Sequence, residues 1–321
     1  MSEVLLSVED LQVTFHSKLG PCCAVDGISY QVKKGKTLGL VGESGCGKSV
    51  TSFSIMGLLD HPGEVTRGQI LFAGQDLTCC TEKELENIRG NRIAMIFQEP
   101  MTALNPVFTI GFQLDEQILR HEKVSKAEAR SRSIEMLKVV GIPSPEKRYS
   151  NYPHQLSGGM RQRAMIAMSL TCNPEFLIAD EPTTAIDVTI QAQILELMQS
   201  LQDQFRMAIQ FITHDLGVVS EVSDEVVVMY AGKICEIADS ETIFNNPRHP
   251  YTYGLIESIP KRGRRAETLY SIPGTVVGLL EIPEGCRFQN RCPNVIDQCR
   301  VVPPELISVG NGHTVACFNM V

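Results

Sequence analysis

One stretch of eight residues constrains the fold of this chain more than any other. Gly42-Glu43-Ser44-Gly45-Cys46-Gly47-Lys48-Ser49 fits the pattern G-x-x-x-x-G-K-[ST], and it follows Thr37-Leu-Gly-Leu-Val41, an apolar run typical of a buried strand. The glycines let the backbone curl tightly, so that successive N–H groups point at phosphate oxygens, and a helix starting near Lys48 adds its positive N-terminal end. Lys48 would reach the β- and γ-phosphates, and Ser49 would ligate Mg²⁺. The segment predicts a strand, a loop and a helix that together bind a nucleoside triphosphate.

The composition is that of a globular chain long enough for one large domain with an appendage, or for two domains. Of its 321 residues, 43% are hydrophobic and 21% are charged. The longest apolar runs, such as Val226–Tyr230, are far shorter than the roughly 18 residues that suggest a membrane span. The N-terminus also lacks the basic and apolar regions of a signal peptide. We therefore expect a cytoplasmic protein that serves a membrane only through other subunits.

The charge balance argues against nucleic acid as a partner. The chain carries 29 basic and 37 acidic residues, a net charge of −8, whereas proteins that bind nucleic acid usually present basic surfaces. The basic cluster Lys261–Arg265 is the exception. We interpret it as a solvated linker rather than as a lipid or nucleic-acid patch.

Predicted strands and helices alternate along most of the chain, which indicates an α/β fold with a mostly parallel sheet. Residues 4–41 are rich in strands, and a helical block at about 100–165 predicts an inserted helical subdomain. The predicted strands are Leu5–Val8, Gln12–Phe15, Ile28–Val32, Thr37–Val41, Gln69–Phe72, Arg92–Gln98, Glu175–Asp180, Ala208–Thr213 and Glu225–Met229. The predicted helices cover Lys48–Leu58, 81–88, 109–140, Met160–Thr171 and a segment around Ile190–Leu201.

The composition changes after about residue 238. Prolines become frequent, regular periodicity fades, and four of the eleven cysteines lie in this part. We therefore expect two domains, a nucleotide-binding domain at residues 1–238 and an irregular C-terminal extension at residues 239–321.

Two carboxylates stand at the end of a predicted strand. Asp180 closes the predicted strand that begins at Glu175, and Glu181 follows it. Asp180 can hold Mg²⁺ through water, and Glu181 can polarise an attacking water molecule. An apolar run followed by Asp-Glu is common, so this pair gains meaning only from the motifs around it.

Three further motifs follow the phosphate loop in a fixed order. They are Leu156-Ser-Gly-Gly-Met-Arg-Gln-Arg163, Phe176-Leu-Ile-Ala-Asp-Glu181 and Thr213-His214-Asp215. With the phosphate loop, they resemble the ATP-binding subunits of ABC transporters. The resemblance implies a P-loop NTPase of the ABC type with a β-rich N-terminal subdomain, an inserted helical subdomain and a small irregular C-terminal extension that binds metal.

The resemblance also assigns roles to residues that would otherwise be unremarkable. Gln98 is similar to the Q-loop glutamine that contacts Mg²⁺ or the attacking water, and His214 to the H-loop histidine that bonds the γ-phosphate and helps place Glu181. Phe15 matches the aromatic residue that stacks on adenine, with a plain core phenylalanine as the alternative. Mg²⁺ would be held through Ser49, Gln98 and Asp180. The full ATP-binding set is Phe15, Gly42, Ser44, Gly45, Cys46, Gly47, Lys48, Ser49, Val50 and Gln98.

In this family the signature segment completes the ATP site of the opposite subunit in a head-to-tail dimer. Here Ser157-Gly158-Gly159 stands before a predicted helix whose N-terminus favours an anion, and Gln162 of the same signature lies in the first turn of that helix. Asp187 is similar to the D-loop aspartate. The residue before it, Ile186, stands where the family usually has leucine, an apolar-for-apolar change.

Other segments are more specific and resemble the ATPases of dipeptide, oligopeptide and nickel importers. They are Gln98-Glu-Pro-Met-Thr-Ala-Leu-Asn-Pro106, Tyr152-Pro-His-Gln-Leu-Ser-Gly-Gly159, Asp187-Val-Thr-Ile-Gln-Ala-Gln193, Met229-Tyr-Ala-Gly232 and Pro247-Arg-His-Pro-Tyr-Thr252. One departure is Glu99, where aspartate is usual. The resemblance implies a second, related ATPase subunit, two membrane permeases and, indirectly, an extracytoplasmic peptide-binding protein, with this chain at the cytoplasmic face of the inner membrane.

The tail cysteines are Cys286, Cys292, Cys299 and Cys317, separated by five, six and seventeen residues. Disulfides are not expected in the cytosol, and zinc sites usually show tighter pairs. In the resembling importers this pattern carries a 4Fe–4S cluster, and four thiolates fit such a cluster. We favour the cluster over zinc, and four unligated thiols are the remaining alternative. Cys46, inside the phosphate loop, should have a lowered pKa and raised reactivity because N–H groups and a helix end surround it.

Several other functions stay open at this stage. Within importers, nickel, haem or antimicrobial peptides are alternative cargoes, since other subunits choose the substrate. A soluble ABC ATPase that acts on ribosomes or DNA usually carries two nucleotide units or large insertions, and this chain has one phosphate loop. An exporter subunit is disfavoured by the importer-type tail.

Overall fold

The computed structural model describes residues 3–18, 20–98, 103–183, 187–259 and 270–321. Glu99, Ile186 and the basic cluster Lys261–Arg265 lie outside these described residues. The described chain divides into two compact units, a first unit of residues 4–78 and 211–321 and a second unit of residue 3 with residues 79–210.

The strands are β1 (Val4–Ser17), β2 (Gly20–Lys33), β3 (Thr37–Val41), β4 (Gly63–Phe72), β5 (Gln75–Asp76), β6 (Ile93–Ile96), β7 (Phe176–Asp180), β8 (Ala208–Thr213), β9 (Glu225–Tyr230), β10 (Lys233–Asp239), β11 (Ile307–Gly310) and β12 (His313–Val315). The helices are α1 (Lys48–Met56), α2 (Glu82–Ile88), α3 (Ile110–His121), α4 (Lys126–Val139), α5 (Pro145–Tyr149), α6 (Gly158–Leu170), α7 (Val188–Phe205), α8 (Leu216–Val222), α9 (Ser240–Asn245), α10 (Pro250–Glu257) and α11 (Asp297–Val301). Short 3₁₀ turns lie at Leu77–Cys79 and Pro153–Gln155. No helix within the described ranges is both long and apolar enough to cross a membrane.

The N-terminal part of the first unit is an antiparallel sheet with the strand order β2-β1-β4-β5. The sequence predicted two short strands where β1 is one strand of 14 residues. Asp10, at φ 48°, marks a bulge between Val8 and Leu11 where the pairing register shifts. Because of the extra residue, Leu11 lies on the buried face that Leu6 and Val8 also occupy. The alternation of buried residues thus changes from even to odd positions, which in the sequence looks like the end of one strand and the start of another.

The rest of the first unit continues from β3, the strand that leads to the phosphate loop. β3 pairs in parallel with β9, β10 pairs antiparallel with β9, and β12 and β11 extend this antiparallel part. The sequence missed β10 and predicted an irregular tail. The described tail instead contains short helices and the β11–β12 hairpin, which extends the sheet from β10. Tyr251 and Phe288 of the tail pack into the same buried cluster as Val228 and Tyr230 of β9.

The second unit confirms the inserted helical block. β6 and β7 pair in parallel, and buried residues of the surrounding helices form its core, among them Ile110, Leu114, Ile118, Leu137 and Ala164. The single helical stretch predicted at 109–140 is two helices, α3 and α4. Glu122 adopts an extended backbone after α3, and the Ser125 hydroxyl caps α4 by accepting a hydrogen bond from Glu128 N at 3.2 Å.

Candidate functional site

The phosphate loop curls between β3 and α1 as its sequence predicts. Gly42 has φ 153°, and a Cβ atom there would overlap the carbonyl oxygen of Met229. Gly47 has φ 101° and caps α1. Only glycine combines these backbone angles with such close approach, so the first and last glycines of the loop fix its path.

Lys48 lies inside this loop rather than in solvent. Its side chain is buried, and its ammonium group donates hydrogen bonds to the carbonyl oxygens of Gly42 at 2.7 Å and Glu43 at 3.1 Å. These carbonyls satisfy the charge by hydrogen bonds that phosphate oxygens can replace. The loop therefore places its cation where a bound anion would need it.

The other predicted residues of the first unit lie in the loop, in α1, in β1 and after β8. Ser44 and Gly45 are exposed, and Ser49 and Val50 are half-buried. Phe15 is half-buried on β1 with its ring against Gly63 of β4. His214 is exposed and directly follows the end of β8.

The prediction that the Cys46 thiol has a lowered pKa is wrong. The side chain is fully buried, and burial raises the pKa of its thiol in spite of the opposing charge of Lys48. Lys48 Nζ lies 3.6 Å from Cys46 Sγ. The N–H groups of the loop were expected to stabilise a thiolate, but the lost hydration of the buried sulfur outweighs them.

In the second unit, the two carboxylates stand at the end of β7. Asp180 is its buried last residue. Glu181 follows with φ 45°, a left-handed conformation that is uncommon for a non-glycine residue. The Gln98 side-chain amide donates a hydrogen bond to Glu181 Oε2 at 2.9 Å. The structure therefore brings together the predicted Q-loop glutamine and Glu181, one of the two residues predicted to be catalytic.

The signature residues Ser157, Gly158 and Gly159 line an open cavity of about 490 Å³ at the start of α6, together with Asp187 and Arg163. Ser157 caps α6 by accepting from Met160 N. Asp187 caps α7 by accepting from Ile190 N at 2.9 Å. The second unit thus presents a helix N-terminus and backbone N–H groups to solvent in a concave surface.

Gln162 is placed differently from the rest of the signature. Its side chain is buried, and its amide group donates to the carbonyl oxygen of Pro182. In this conformation it links α6 to the turn after Glu181 and does not line the cavity.

The tail cysteines are neighbours, although the geometry does not support the predicted metal site. Burial, with a smaller contribution from the other tail cysteines, raises the pKa of Cys286 and Cys317 to about 11. Cys299 O accepts a hydrogen bond from Cys286 N at 2.7 Å. Nevertheless, within the part of the chain that the structure describes, no group of three or more His, Cys, Asp or Glu residues is arranged to hold a metal ion.

Comparison with known families agrees with this geometry. Residues 25–184 match the family described as "ABC transporter", which covers the phosphate loop, the signature segment and the strand-end carboxylates. Residues 235–299 match the family described as "Oligopeptide/dipeptide transporter, C-terminal region".

Curated relatives match along almost the whole chain. The dipeptide transport ATP-binding protein DppD of Bacillus subtilis is 53% identical over 318 residues, which cover 98% of this chain and 95% of the relative. DppD of Escherichia coli is 50% identical over 313 residues, covering 98% and 96%. The oligopeptide transport ATP-binding protein AppD of Bacillus subtilis is 51% identical over 315 residues, covering 98% and 96%.

Solved structures match the nucleotide-binding part. The dimeric bacterial ABC transporter cassette MJ0796 superposes with a TM-score of 0.66 at 25% identity, covering 74% of this chain and 99% of the cassette. cbiO1 of Clostridium perfringens, part of an ABC transporter complex, gives 0.65 at 27% identity, covering 76% and 92%. The chain therefore belongs to the family of ATP-binding subunits of oligopeptide and dipeptide ABC transporters, and it is an ATPase that acts with membrane permeases.

Proposed function

We propose that this chain hydrolyses ATP to power the import of dipeptides or oligopeptides. The observation that carries the proposal is the near-full-length identity of about half to proteins named for dipeptide and oligopeptide transport, which extends through the tail. Other subunits bind the transported substrate. In this chain, the match of the C-terminal tail to the oligopeptide/dipeptide transporter family is therefore what limits the possible substrates.

Each predicted residue then has a role. Glu181 orients the attacking water, and its fixed hydrogen bond from Gln98 supports that role. Its left-handed backbone supports it further, because such strain persists only where the surroundings impose it. Asp180, Gln98 and Ser49 act on Mg²⁺, and His214 bonds the γ-phosphate. Lys48 exchanges its carbonyl partners for phosphate oxygens, and Phe15 stacks on adenine.

ATP drives the closure of a dimer in this proposal. The cavity at Ser157, Gly158 and Gly159 has a helix N-terminus at its wall and is open to solvent, which suits the triphosphate of an opposite subunit. Asp187 stands beside it as the D-loop residue. The opposite subunit is a related, non-identical ATPase, and hydrolysis resets the dimer.

An exposed apolar patch on the helical block supports docking to the permeases. Val107 is 69% exposed, and Phe108 and Phe112, both exposed, stack with ring centroids 4.6 Å apart. Such clustered apolar side chains are typical of protein interfaces. They would hold the chain at the cytoplasmic face of the inner membrane, peripheral to the membrane subunits.

We further propose that Cys286, Cys292, Cys299 and Cys317 hold a 4Fe–4S cluster within a C-terminal domain at residues 239–321, with residues 1–238 as the nucleotide-binding domain. The backbone hydrogen bond from Cys286 N to Cys299 O and the raised pKa values of Cys286, Cys292 and Cys317, to which burial contributes most and neighbouring tail thiols add, support a shared site. Zinc remains the alternative.

Anaerobically purified protein should contain about four irons per chain. Cys286→Ser should lose these irons, while Cys79→Ser, at an exposed position, should keep them. Stoichiometric zinc without iron would favour the alternative, and neither metal would remove this proposal.

The proposed cargo can be tested in vesicles that contain the complete transporter with its binding protein. ATP inside the vesicles should drive uptake of a radiolabelled dipeptide, and unlabelled dipeptide should compete. Uptake of nickel or haem without uptake of any peptide would contradict the proposed cargo, although it would leave the ATPase intact.

A further inference from the structure

Two side chains of the tail hold the phosphate loop from outside, and both act on Glu43. The Arg291 guanidinium donates two hydrogen bonds to the Glu43 carboxylate, Nη1 to Oε2 at 2.6 Å and Nη2 to Oε1 at 3.0 Å. The Tyr251 hydroxyl, from α10, accepts a hydrogen bond from Glu43 N at 2.9 Å. The residue that follows the first glycine of the loop is thus fixed through both its side chain and its backbone.

Arg291 is itself held rigidly. Its side chain is only 4% exposed, and its Nε donates to the carbonyl oxygen of Pro273 at 2.8 Å. Burial alone would lower the pKa of the guanidinium, but the bonds to Glu43 raise it. Because the guanidinium is planar and its Nε is already bonded, Nη1 and Nη2 can form a paired hydrogen bond with a carboxylate at one position, which Glu43 occupies.

Glu43 is an unexpected residue for an anion-binding loop. Its carboxylate belongs to the same short segment whose backbone is to receive phosphates, and its side chain is 29% exposed. A free carboxylate at this position would repel a triphosphate. The Arg291 pair neutralises this carboxylate, whereas the Lys48 ammonium contacts the backbone carbonyls of Gly42 and Glu43 and the sulfur of Cys46.

We infer that Arg291 is a positioning residue for ATP binding: the tail neutralises the carboxylate of the phosphate loop and so keeps the loop ready for phosphate. The pair joins residues 248 positions apart in sequence. Affinity for ATP thus depends on a segment outside the nucleotide-binding motifs. Arg291 acts through Glu43 and does not touch the nucleotide.

The test measures binding of a fluorescent ATP analogue to the purified full chain. Arg291→Met, which keeps the apolar stem and loses the charge, should raise the Kd for ATP about tenfold and leave kcat in the assembled transporter nearly unchanged at saturating ATP. Arg287→Met is the matched control. Arg287 is a similarly buried tail arginine that pairs with Asp26 at 2.5 Å instead of with the loop, and its replacement should leave the Kd within about twofold.

A second substitution separates electrostatic positioning from simple tail folding. Glu43→Gln should bind ATP at least as well as the wild type, and Glu43→Gln combined with Arg291→Met should restore most of the lost affinity, since no carboxylate is then left unpaired. Failure of this rescue, or equal losses in Arg291→Met and Arg287→Met, would overturn the inference. If Arg291→Met does not fold, the Glu43→Gln variant tests the inference by itself. ATP binding by this variant that is more than about tenfold weaker than in the wild type would mean that the carboxylate contributes directly to nucleotide binding, which would overturn the inference.

Discussion

The phosphate loop and the C-terminal tail belong to the same unit but hold their polar groups in opposite ways. In the loop, the ammonium group of Lys48 is satisfied by backbone carbonyls, which a ligand can replace. In the tail, the polar groups of His249 and Arg291 are enclosed with fixed partners. The loop is therefore built to exchange partners and the tail to keep them, so changes in the loop should alter binding and changes in the tail should alter stability or the shape of the loop.

Glu181→Gln should have the largest effect on ATP turnover. It separates the hydrolysis step from ATP binding by the phosphate loop. Loss of the carboxylate that orients water should lower ATP turnover about 10²- to 10⁴-fold, because Gln98 then faces an amide and no base remains beside it. ATP should still bind, since Lys48 and its loop are untouched. Turnover is measured in the assembled transporter, and a wild-type rate would show that Glu181 is not the catalytic carboxylate.

Gly42→Ala should break the loop itself. A Cβ at Gly42 would overlap Met229 O at a φ of 153°, so we expect a loss of about 3 kcal/mol or more in the free energy of unfolding. Gly45→Ala is the matched control, because nothing lies within 4 Å of its Cβ position although its φ of 80° is also positive. It should cost about 1 kcal/mol. Equal losses in thermal or urea unfolding would mean that steric fit does not fix the path of the loop.

The tail should instead show a dependence of stability on pH. Burial lowers the pKa of His249 from 6.5 to about 4, so the folded protein keeps this histidine neutral while the unfolded chain protonates. Its contribution is fully present above about pH 6.5 and is lost as the pH falls towards 4, by up to about 3 kcal/mol.

His249→Asn tests this contribution with little other change. Asparagine retains an acceptor for the Tyr251 N–H that His249 caps, so the variant should lose less stability than the wild type between pH 6.5 and pH 4. Urea unfolding across this range gives the comparison. Parallel curves for the two proteins would show that His249 does not titrate on unfolding.

The smallest effect concerns the cysteine inside the loop. A thiol reagent should label the exposed Cys79 quickly and the buried Cys46 hardly at all, because burial raises the pKa of the Cys46 thiol and blocks access to it. Mass spectrometry of labelled peptides, with and without ATP, checks this. Rapid labelling of Cys46 in folded protein, with protection by ATP, would restore the reactivity that the sequence predicted.

The parts of the fold and site that the sequence predicts are those whose geometry is local. The glycine pattern from Gly42 to Gly47 determines its own backbone path, and the strand before it is an uninterrupted apolar run. The helix after Thr81 follows from a capping box, which the structure contains. Asp180 and Glu181 lie at the end of β7 because an apolar run predicts where that strand ends.

The parts that the sequence does not predict depend on distant neighbours. Cys46 is buried, and Gly42 beside it is pressed against Met229, a residue of β9, which no pattern near the loop reveals. In the sequence, nothing distinguishes Arg291 from other polar residues of the tail. Its contact with Glu43, 248 positions away, forms only in the folded chain. The spacing of the tail cysteines predicts that they are neighbours but not the arrangement of their sulfur atoms.

Equilibrium binding of ATP to the purified chain tests the central claim, that the loop around Lys48 is a nucleotide site built to exchange its carbonyl partners for phosphate. We predict one saturable site per chain, strengthened by Mg²⁺, that is lost in Lys48→Met and kept in Glu181→Gln, with thermal unfolding confirming that both variants are folded. Unchanged affinity in a folded Lys48→Met protein would contradict the claim, because the nucleotide would then bind without the cation on which the site depends.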